Sequence, residues 1–325
     1  MTNPALASRD EPTGSVDVSI LMVTYNAADW TRRSLAAVPA GVKRHSWELI
    51  VVDNASPEVE PEQLLEWAGP DATVEFLTEN IGFGRGVNHA SGLARGRTLL
   101  LLNPDAEVAE GAIDELLDYL DEDPRRGIVG GRIFTPEGDL DRGSCFGEQT
   151  TWSLLCYATG LSALFPHSGL LNPEGLGRWD RSTPREVGVV TGCMLLVDHD
   201  LWRHLDGFDS DYFMYGEDAD LCKRARTMGF RPSVTNDACA THALGESSSR
   251  LVDKQIMMYR GKVTLIDKNT TGAVRAAQKR CLIIGVAVRA LMERVADRGL
   301  QWGELYARRA EWRDGWSRNL QSTAR

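Results

Sequence analysis

The sequence predicts an α/β protein with a mostly parallel, Rossmann-like central sheet flanked by helices and a C-terminal helical extension. Three observations predict it. Four short runs, residues 18–24, 48–53, 74–77 and 98–103, are apolar on both faces, as strands covered by helices on each side must be. The segments between them, 29–38, 61–68 and 85–95, have the length and composition of crossover helices, so the first third reads βαβαβαβ. The last third has a helical pattern throughout.

Beyond residue 103 the pattern predicts a helix over 107–120 and strands over 128–134 and 187–197. These strands are separated by a Gly- and aromatic-containing stretch, 139–185, read as a substrate-facing insertion. A further helix starts near Asp218 and runs to Met228, where Gly229 stops it, and a short strand leads to Thr241-His242. The chain holds neither an internal repeat nor a low-complexity tract.

At 325 residues with 42% hydrophobic content the chain can bury a substantial core. Six cysteines without a Cys-x-x-Cys pair point to reduced thiols rather than a zinc knuckle or a dithiol motif. Residues 1–15 are polar, without an apolar stretch of signal-peptide length, and read as a disordered lead. A cytoplasmic location is therefore expected. The net charge of -10 is uneven, because residues 255–325 carry 14 Lys/Arg against 6 Asp/Glu and the preceding residues 22 against 40. An acidic body argues against nucleic acid as a partner, while the basic tail suits a phosphate-rich surface or the acidic body itself.

In parallel sheets ligands sit beyond the carboxyl ends of the strands. Those ends read Thr24-Tyr25-Asn26, Asp53-Asn54-Ala55-Ser56 and Asn103-Pro104-Asp105. Asp53 can accept hydrogen bonds from a base or ribose, or simply cap a turn. Asp105 leaves a buried strand behind the stiffening Pro104, where a carboxylate can hold a hard cation against a diphosphate, or cap the next helix. Asn80-Ile-Gly-Phe-Gly-Arg-Gly-Val-Asn88 is a glycine-rich helix entry fit for a phosphate. Its glycines at 82, 84 and 86 do not have dinucleotide-fingerprint spacing, and close helix–sheet packing would explain two of the three.

The most informative segment runs from residue 207 to 226. It places Glu217, Asp218 and Asp220 at a helix start after Tyr212, Phe213 and Tyr215. Dipole reasons account for one or two of these acids. All three beside aromatics suit a sugar-binding floor with a general base that deprotonates an acceptor hydroxyl. His242 becomes a metal-ligand candidate once Asp105 supplies a carboxylate.

With these motifs in order, the chain resembles the family 2 glycosyltransferases of GT-A fold from about residue 17 to 245. The resemblance assigns Thr24, Tyr25, Asn26, Asp53, Asn80, Gly82, Asn88, Asn103 and Asp105 to the nucleotide-sugar donor. It also implies Asp218 as catalytic base, and Thr191, Gly192, Cys193, Tyr215 and Glu217 beside the donor sugar and acceptor. The divalent metal, Mg²⁺ or Mn²⁺, would be held by Asp105 and His242. Asn103 departs from the family's Asp-x-Asp motif, and a neutral amide there binds a cation more weakly. The implied organisation is a lead over 1–15, a catalytic domain over 16–250 and a helical extension over 251–325. The catalytic domain divides into a nucleotide-binding half, about 16–125, and an acceptor half, about 126–250.

Leu-Asn-Pro-Asp combined with Tyr-x-Glu-Asp-x-Asp-Leu resembles bacterial rhamnosyltransferases of cell-wall and surface polysaccharide synthesis. This implies an inverting enzyme using dTDP-L-rhamnose and a glycan or polyprenyl-diphosphate-linked acceptor. The alternatives are another donor, such as a UDP-hexose or UDP-galactofuranose, or a non-catalytic nucleotide-sugar binder. A dehydrogenase would need its glycine fingerprint after the first strand, where Thr24-Tyr25-Asn26 stands.

In the tail, the apolar run 281–288 is far below the roughly 20 residues needed to span a bilayer. On a helical wheel over 273–298, Ile284, Val288, Leu291, Met292 and Val295 share one half. Arg275, Lys279, Arg280, Arg289, Glu293, Arg294, Asp297 and Arg298 share the other. The apolar half is expected either on an anionic inner leaflet or packed on the catalytic domain or a second subunit.

Overall fold

The computed structural model describes residues 16–243, 251–296 and 301–316. The expected lead, Asp297 and Arg298, and the side chain of Val295 lie outside them. β1 (Val16–Thr24), α1 (Ala28–Gly41), β2 (Trp47–Asp53), α2 (Pro61–Ala68), β3 (Thr73–Phe76), α3 (Phe83–Ser91) and β4 (Gly96–Leu102) alternate as the apolar runs predict. β1 pairs in parallel with β2 and β4, and β2 with β3. Ile20, Met22, Val51 and Leu100 face one core cluster, and Leu21, Ile50, Val52 and Leu101 the other, so both sides of the sheet are covered. Thr24 lies opposite Asp53 in the register, which sets the first two strand ends side by side.

The chain continues through β5 (Ala106–Val108), α4 (Ala112–Glu122), β6 (Ile128–Phe134), β7 (Leu140–Asp141), β8 (Cys145–Phe146), α5 (Thr151–Ala158) and α6 (Leu161–Leu164). Then come β9 (Arg185–Glu186), β10 (Val189–Val190), β11 (Met194–Asp198), α7 (His199–His204), α8 (Glu217–Thr227) and β12 (Ser233–His242). The main path of the sheet is β3-β2-β1-β4-β11-β6-β12-β5, with β11 antiparallel to both β4 and β6.

Three expectations change. The helix expected from residue 107 begins at Ala112, because Ala106 to Val108 pair as a strand with β12 and Gly111 takes a left-handed turn at φ 70°. The expected strand over 187–197 is broken into pieces. At Gly188 a Cβ would stand 2.2 Å from Glu148 N, and residues 191–193 leave the ladder to build the site. The strand before His242 is ten residues long rather than short, with an irregularity between Val234 and Cys239.

α9 (Leu251–Asn269), α10 (Gly272–Ala296) and α11 (Trp302–Ala307) form the C-terminal extension. With α5 they enclose a third core that includes Leu154, Ile256, Val263, Leu282, Val286 and Trp312. The side of α10 packed inward carries Gln278, Leu282, Val286 and Ala290. Ile284, Leu291 and Met292 do not pack on the catalytic domain and are exposed. Much of the charged half bonds within the protein, Lys279 to Asp267 and Arg289 to the carbonyl of Tyr157.

Candidate active site

The ends of β1, β2 and β4, the start of α8 and the end of β12 each contribute polar side chains to the candidate site. Asp53 is buried; its Oδ2 accepts the Ser56 N–H at 3.0 Å, while Oδ1 has no partner within the protein. A buried carboxylate oxygen left unpaired is costly, so Asp53 is poised for a ligand N–H or O–H. Beside it Asn26 adopts φ 57° and also keeps a buried, unpartnered Oδ1. Tyr25 is exposed at the rim. Thr24 contributes support: it is fully buried, and its hydroxyl lies 3.0 Å from Thr31 Oγ1.

The glycine-rich entry to α3 is held by Asn54, whose local sequence gives no sign of this role. Its amide donates to Asn80 Oδ1 and Gly82 O and accepts from the Ile81 N–H. Gly82 sits at φ 87°, and a Cβ there would stand 2.4 Å from Phe213 O, whose carbonyl accepts the Phe83 N–H at 2.9 Å. Gly86 meets Val23 across the sheet, as the packing reading of these glycines expects. Asn88 has a different task from the one the resemblance implies. Both ends of its amide bond the Phe208 backbone, at 2.7 and 2.9 Å, so it clasps the loop before α8 instead of reaching toward the strand ends.

Asp105 and His242 come together because β5 pairs with β12, setting His242 opposite Ala106. His242 Nε2 lies 3.0 Å from Asp105 Oδ1. Burial works against a charged imidazole, yet the Asp105 carboxylate beside it favours one and raises its pKa. Cys193 is a buried thiol whose pKa burial pushes up. Asn103 is anchored through its backbone, its N–H donating to Cys193 O and its carbonyl accepting from Ala106.

α8 opens with Glu217-Asp218. Asp218 accepts the Ala219 N–H at 2.7 Å and the Gly192 N–H at 3.3 Å. Burial raises its pKa and these donors oppose the rise. Gly192 is itself held in place by Thr191, whose N–H and hydroxyl both donate to Ser144 O, so the hydroxyl of Thr191 is already engaged. Glu217 is buried with an unpartnered Oε2; burial first and Asp218 second push its pKa up to about 8. Tyr215, at φ 67°, has its phenol pKa raised by burial and by the charges of Glu217 and Asp105. Asp220 follows the dipole reading: it pairs with Arg224 at 2.6 Å, and Arg224 also donates to Leu205 O and Gly207 O.

The elevated Glu217 makes a pH prediction. Between its ordinary 4.5 and about 8 the folded state holds a proton that the unfolded chain has released, so stability falls as pH rises across that window. The slope approaches about 1.4 kcal/mol per pH unit for one proton. Urea unfolding of Glu217→Gln should lose this decline relative to the parent; parallel curves for the two proteins would remove the assignment.

Residues 19–169 match the family model "Glycosyl transferase family 2". That stretch is a family 2 glycosyltransferase domain. The chain is similar to the N-acetylglucosaminyl-diphospho-decaprenol L-rhamnosyltransferase of Mycobacterium tuberculosis, 28% identical over 245 residues, covering 71% of this chain and 77% of the relative. It is also similar to the O-antigen biosynthesis protein RfbC of Myxococcus xanthus, 27% identical over 248 residues, covering 74% of this chain but 18% of that longer protein. Among solved structures, the mannosyltransferase PcManGT of Pyrobaculum calidifontis, in complex with GDP-Man and Mn²⁺, superposes with a TM-score of 0.55 at 18% identity. That match covers 93% of this chain and 83% of that one. S. aureus TarS in complex with UDP gives 0.51 at 16% identity, covering 82% and 70%. The chain thus has the GT-A fold that the resemblance implies, and its polar site lies at the carboxyl ends of the parallel strands, where open α/β sheets bind ligands.

Proposed function

We propose that the enzyme is an inverting, metal-dependent transferase that moves L-rhamnose from dTDP-L-rhamnose to a glycan or polyprenyl-diphosphate-linked acceptor in cell-envelope polysaccharide synthesis. The observation that carries the reaction class is the pairing at Glu217-Asp218 of a buried carboxylate with a half-buried one in different surroundings. Like charges this close do not both ionise readily. Asp218 receives two backbone N–H groups that favour its anion, whereas buried Glu217 holds its proton toward neutral pH. Asp218 is therefore the base for the acceptor hydroxyl, and Glu217 and Tyr215 form the floor beneath the donor sugar.

On the donor side, Asp53 Oδ1 and Asn26 Oδ1 are acceptors awaiting the N–H groups of a pyrimidine base or the hydroxyls of a ribose. Asp105 Oδ1 and His242 Nε2 suit a divalent cation of the Mg²⁺ or Mn²⁺ type, which would displace the proton the imidazole otherwise shares with Asp105. No group of three or more His, Cys, Asp or Glu forms a cage among the described residues, and a cation of this type bound through one or two protein ligands takes the rest from phosphates and water. Such an ion would neutralise the charge that develops on the departing diphosphate. The rhamnose reading is supported by the rhamnosyltransferase activity that names the M. tuberculosis relative and by the Leu-Asn-Pro-Asp sequence. Membrane contact through the C-terminal helices accords with a lipid-linked acceptor.

A donor panel tests this. Thermal shift and donor hydrolysis measured with dTDP-L-rhamnose, UDP-glucose, UDP-galactofuranose and GDP-mannose, each with Mg²⁺ or Mn²⁺, should single out dTDP-L-rhamnose. Selection of a UDP-sugar would overturn the rhamnose assignment.

A further inference from the structure

Residues 149–173 contain no Asp, Glu, Lys or Arg, in a chain that is 25% charged and would on average place about six charges in 25 residues. This uncharged stretch is not buried. Trp152, Leu155, Leu164, Phe165 and Leu170 are between 43% and 69% exposed. Together with Val274, Ile284, Leu291 and Met292 of α10 they make up nine of the seventeen strongly exposed large apolar side chains among the described residues.

The two sets share one side of the molecule. Leu154 of α5 and Leu282 of α10 both turn into the core formed with α9, and Gly285 of α10 packs on the Tyr157 ring of α5. At about 100° per residue, Leu155 on α5 and Ile284, Val288 and Leu291 on α10 then face away from α9. Arg289 donates to Tyr157 O and Ser162 Oγ, joining α10 to α6, and Trp152 Nε1 donates to Leu170 O, joining α5 to the following loop. Exposed Arg280 and Arg294 stand on the same helix as the apolar stripe, and α10 carries five Arg/Lys against one Glu.

From this geometry we infer that α5, α6, the loop to Leu171 and the outer face of α10 form a platform that seats on a lipid bilayer with anionic headgroups. So many exposed apolar side chains on elements joined to one another are uncommon on a monomer exposed to water. An acidic protein that excludes every carboxylate from 25 consecutive residues while keeping arginines on the adjoining helix matches a surface that is negative and apolar. It does not match a second copy of a chain with net charge -10. The platform is fastened to the active site. Glu174 takes bonds from Ser153 and Lys262, and Gly261, next to Lys262 on α9, packs against Tyr215 O. The inference rests on the lipid-linked acceptor of the preceding reading only for its purpose; the contact itself is independent of the sugar transferred.

The test is sedimentation of the full chain with vesicles of phosphatidylcholine alone and of phosphatidylcholine with 30% phosphatidylglycerol, a composition chosen as roughly that of an anionic leaflet. The parent should bind the anionic vesicles, and Leu164→Glu/Leu170→Glu should bind them at least about tenfold more weakly, with thermal stability and donor hydrolysis unchanged. In vesicles with brominated acyl chains, the fluorescence quenching of the parent should fall in Trp152→Phe. Equal vesicle binding by parent and double variant, or no binding by either, overturns the platform. So does a parent dimer that the double variant converts to monomer, since a second copy then covers the face. Donor hydrolysis, read in the same samples, reports separately on the transferase assignment.

Discussion

Replacing Asp218 by Asn should lower kcat for sugar transfer by about 10² to 10⁴-fold, the range over which a positioned general base contributes. Donor affinity and folding should be preserved. The amide keeps one oxygen that can accept from Ala219 or Gly192, so the start of α8 has no reason to move. What it loses is the basic lone pair that takes the hydroxyl proton. Glu217→Gln should be much milder in the chemical step, because Glu217 carries its proton up to about pH 8 and serves as a neutral neighbour. The measurement is product formation under saturating donor, with nucleotide binding followed in parallel. Should Asp218→Asn retain activity within a few-fold of the parent, the base lies elsewhere; if Glu217→Gln shows the larger loss, the two roles are reversed.

How much of this site could be read from the sequence depends on how far apart its parts lie. The parallel strands were legible because continuous apolar runs such as residues 98–102 report burial locally, and the loops that follow them fall where ligands bind in such sheets. Glu217-Asp218 was legible as well, since the acids and the aromatic residues before them are contiguous. Asp105 and His242 were matched by chemistry alone, and their juxtaposition rests on β5, a three-residue strand whose pairing partner lies more than 130 residues away. No local period marks a strand that short, and the acids that follow it read as a helix start. Asn88 shows the opposite failure. It stands in a recognisable motif, yet its hydrogen bonds go to Phe208, 120 residues later. The outward stripe of α10 was identified as apolar, but which side packs was decided by α5, whose Tyr157 fills the space over Gly285.

The C-terminal helices read from sequence as an appendage, yet a glycine in α9 ties them to the chemistry. A Cβ on Gly261 would stand 2.1 Å from Tyr215 O, and one on Gly216 would stand 2.9 Å from Gly261 Cα, so two backbones approach in a gap that admits hydrogen alone. Tyr215 and Gly216 hold left-handed conformations, φ 67° and 100°, that lead directly into Glu217. Trp316 closes the same side, its ring 5.8 Å from that of Phe213 and its backbone N–H donating to Thr264 Oγ1. Gly261→Val should therefore force apart α9 and the loop that delivers the two acids. Overpacking of this order costs about 1–3 kcal/mol, more where backbone rather than a side chain must yield. The expected result is a Tm lowered by a few degrees and a kcat reduced at least tenfold. Nucleotide affinity should be nearly unchanged, because Asp53 and Asn26 are held by Ser56 on the far strand ends. A truncation ending before residue 251 should lose activity for the same reason, even with a soluble acceptor that requires no membrane. Full kcat in Gly261→Val would mean that the extension only covers the domain; a parallel loss of nucleotide affinity would mean that the damage is global.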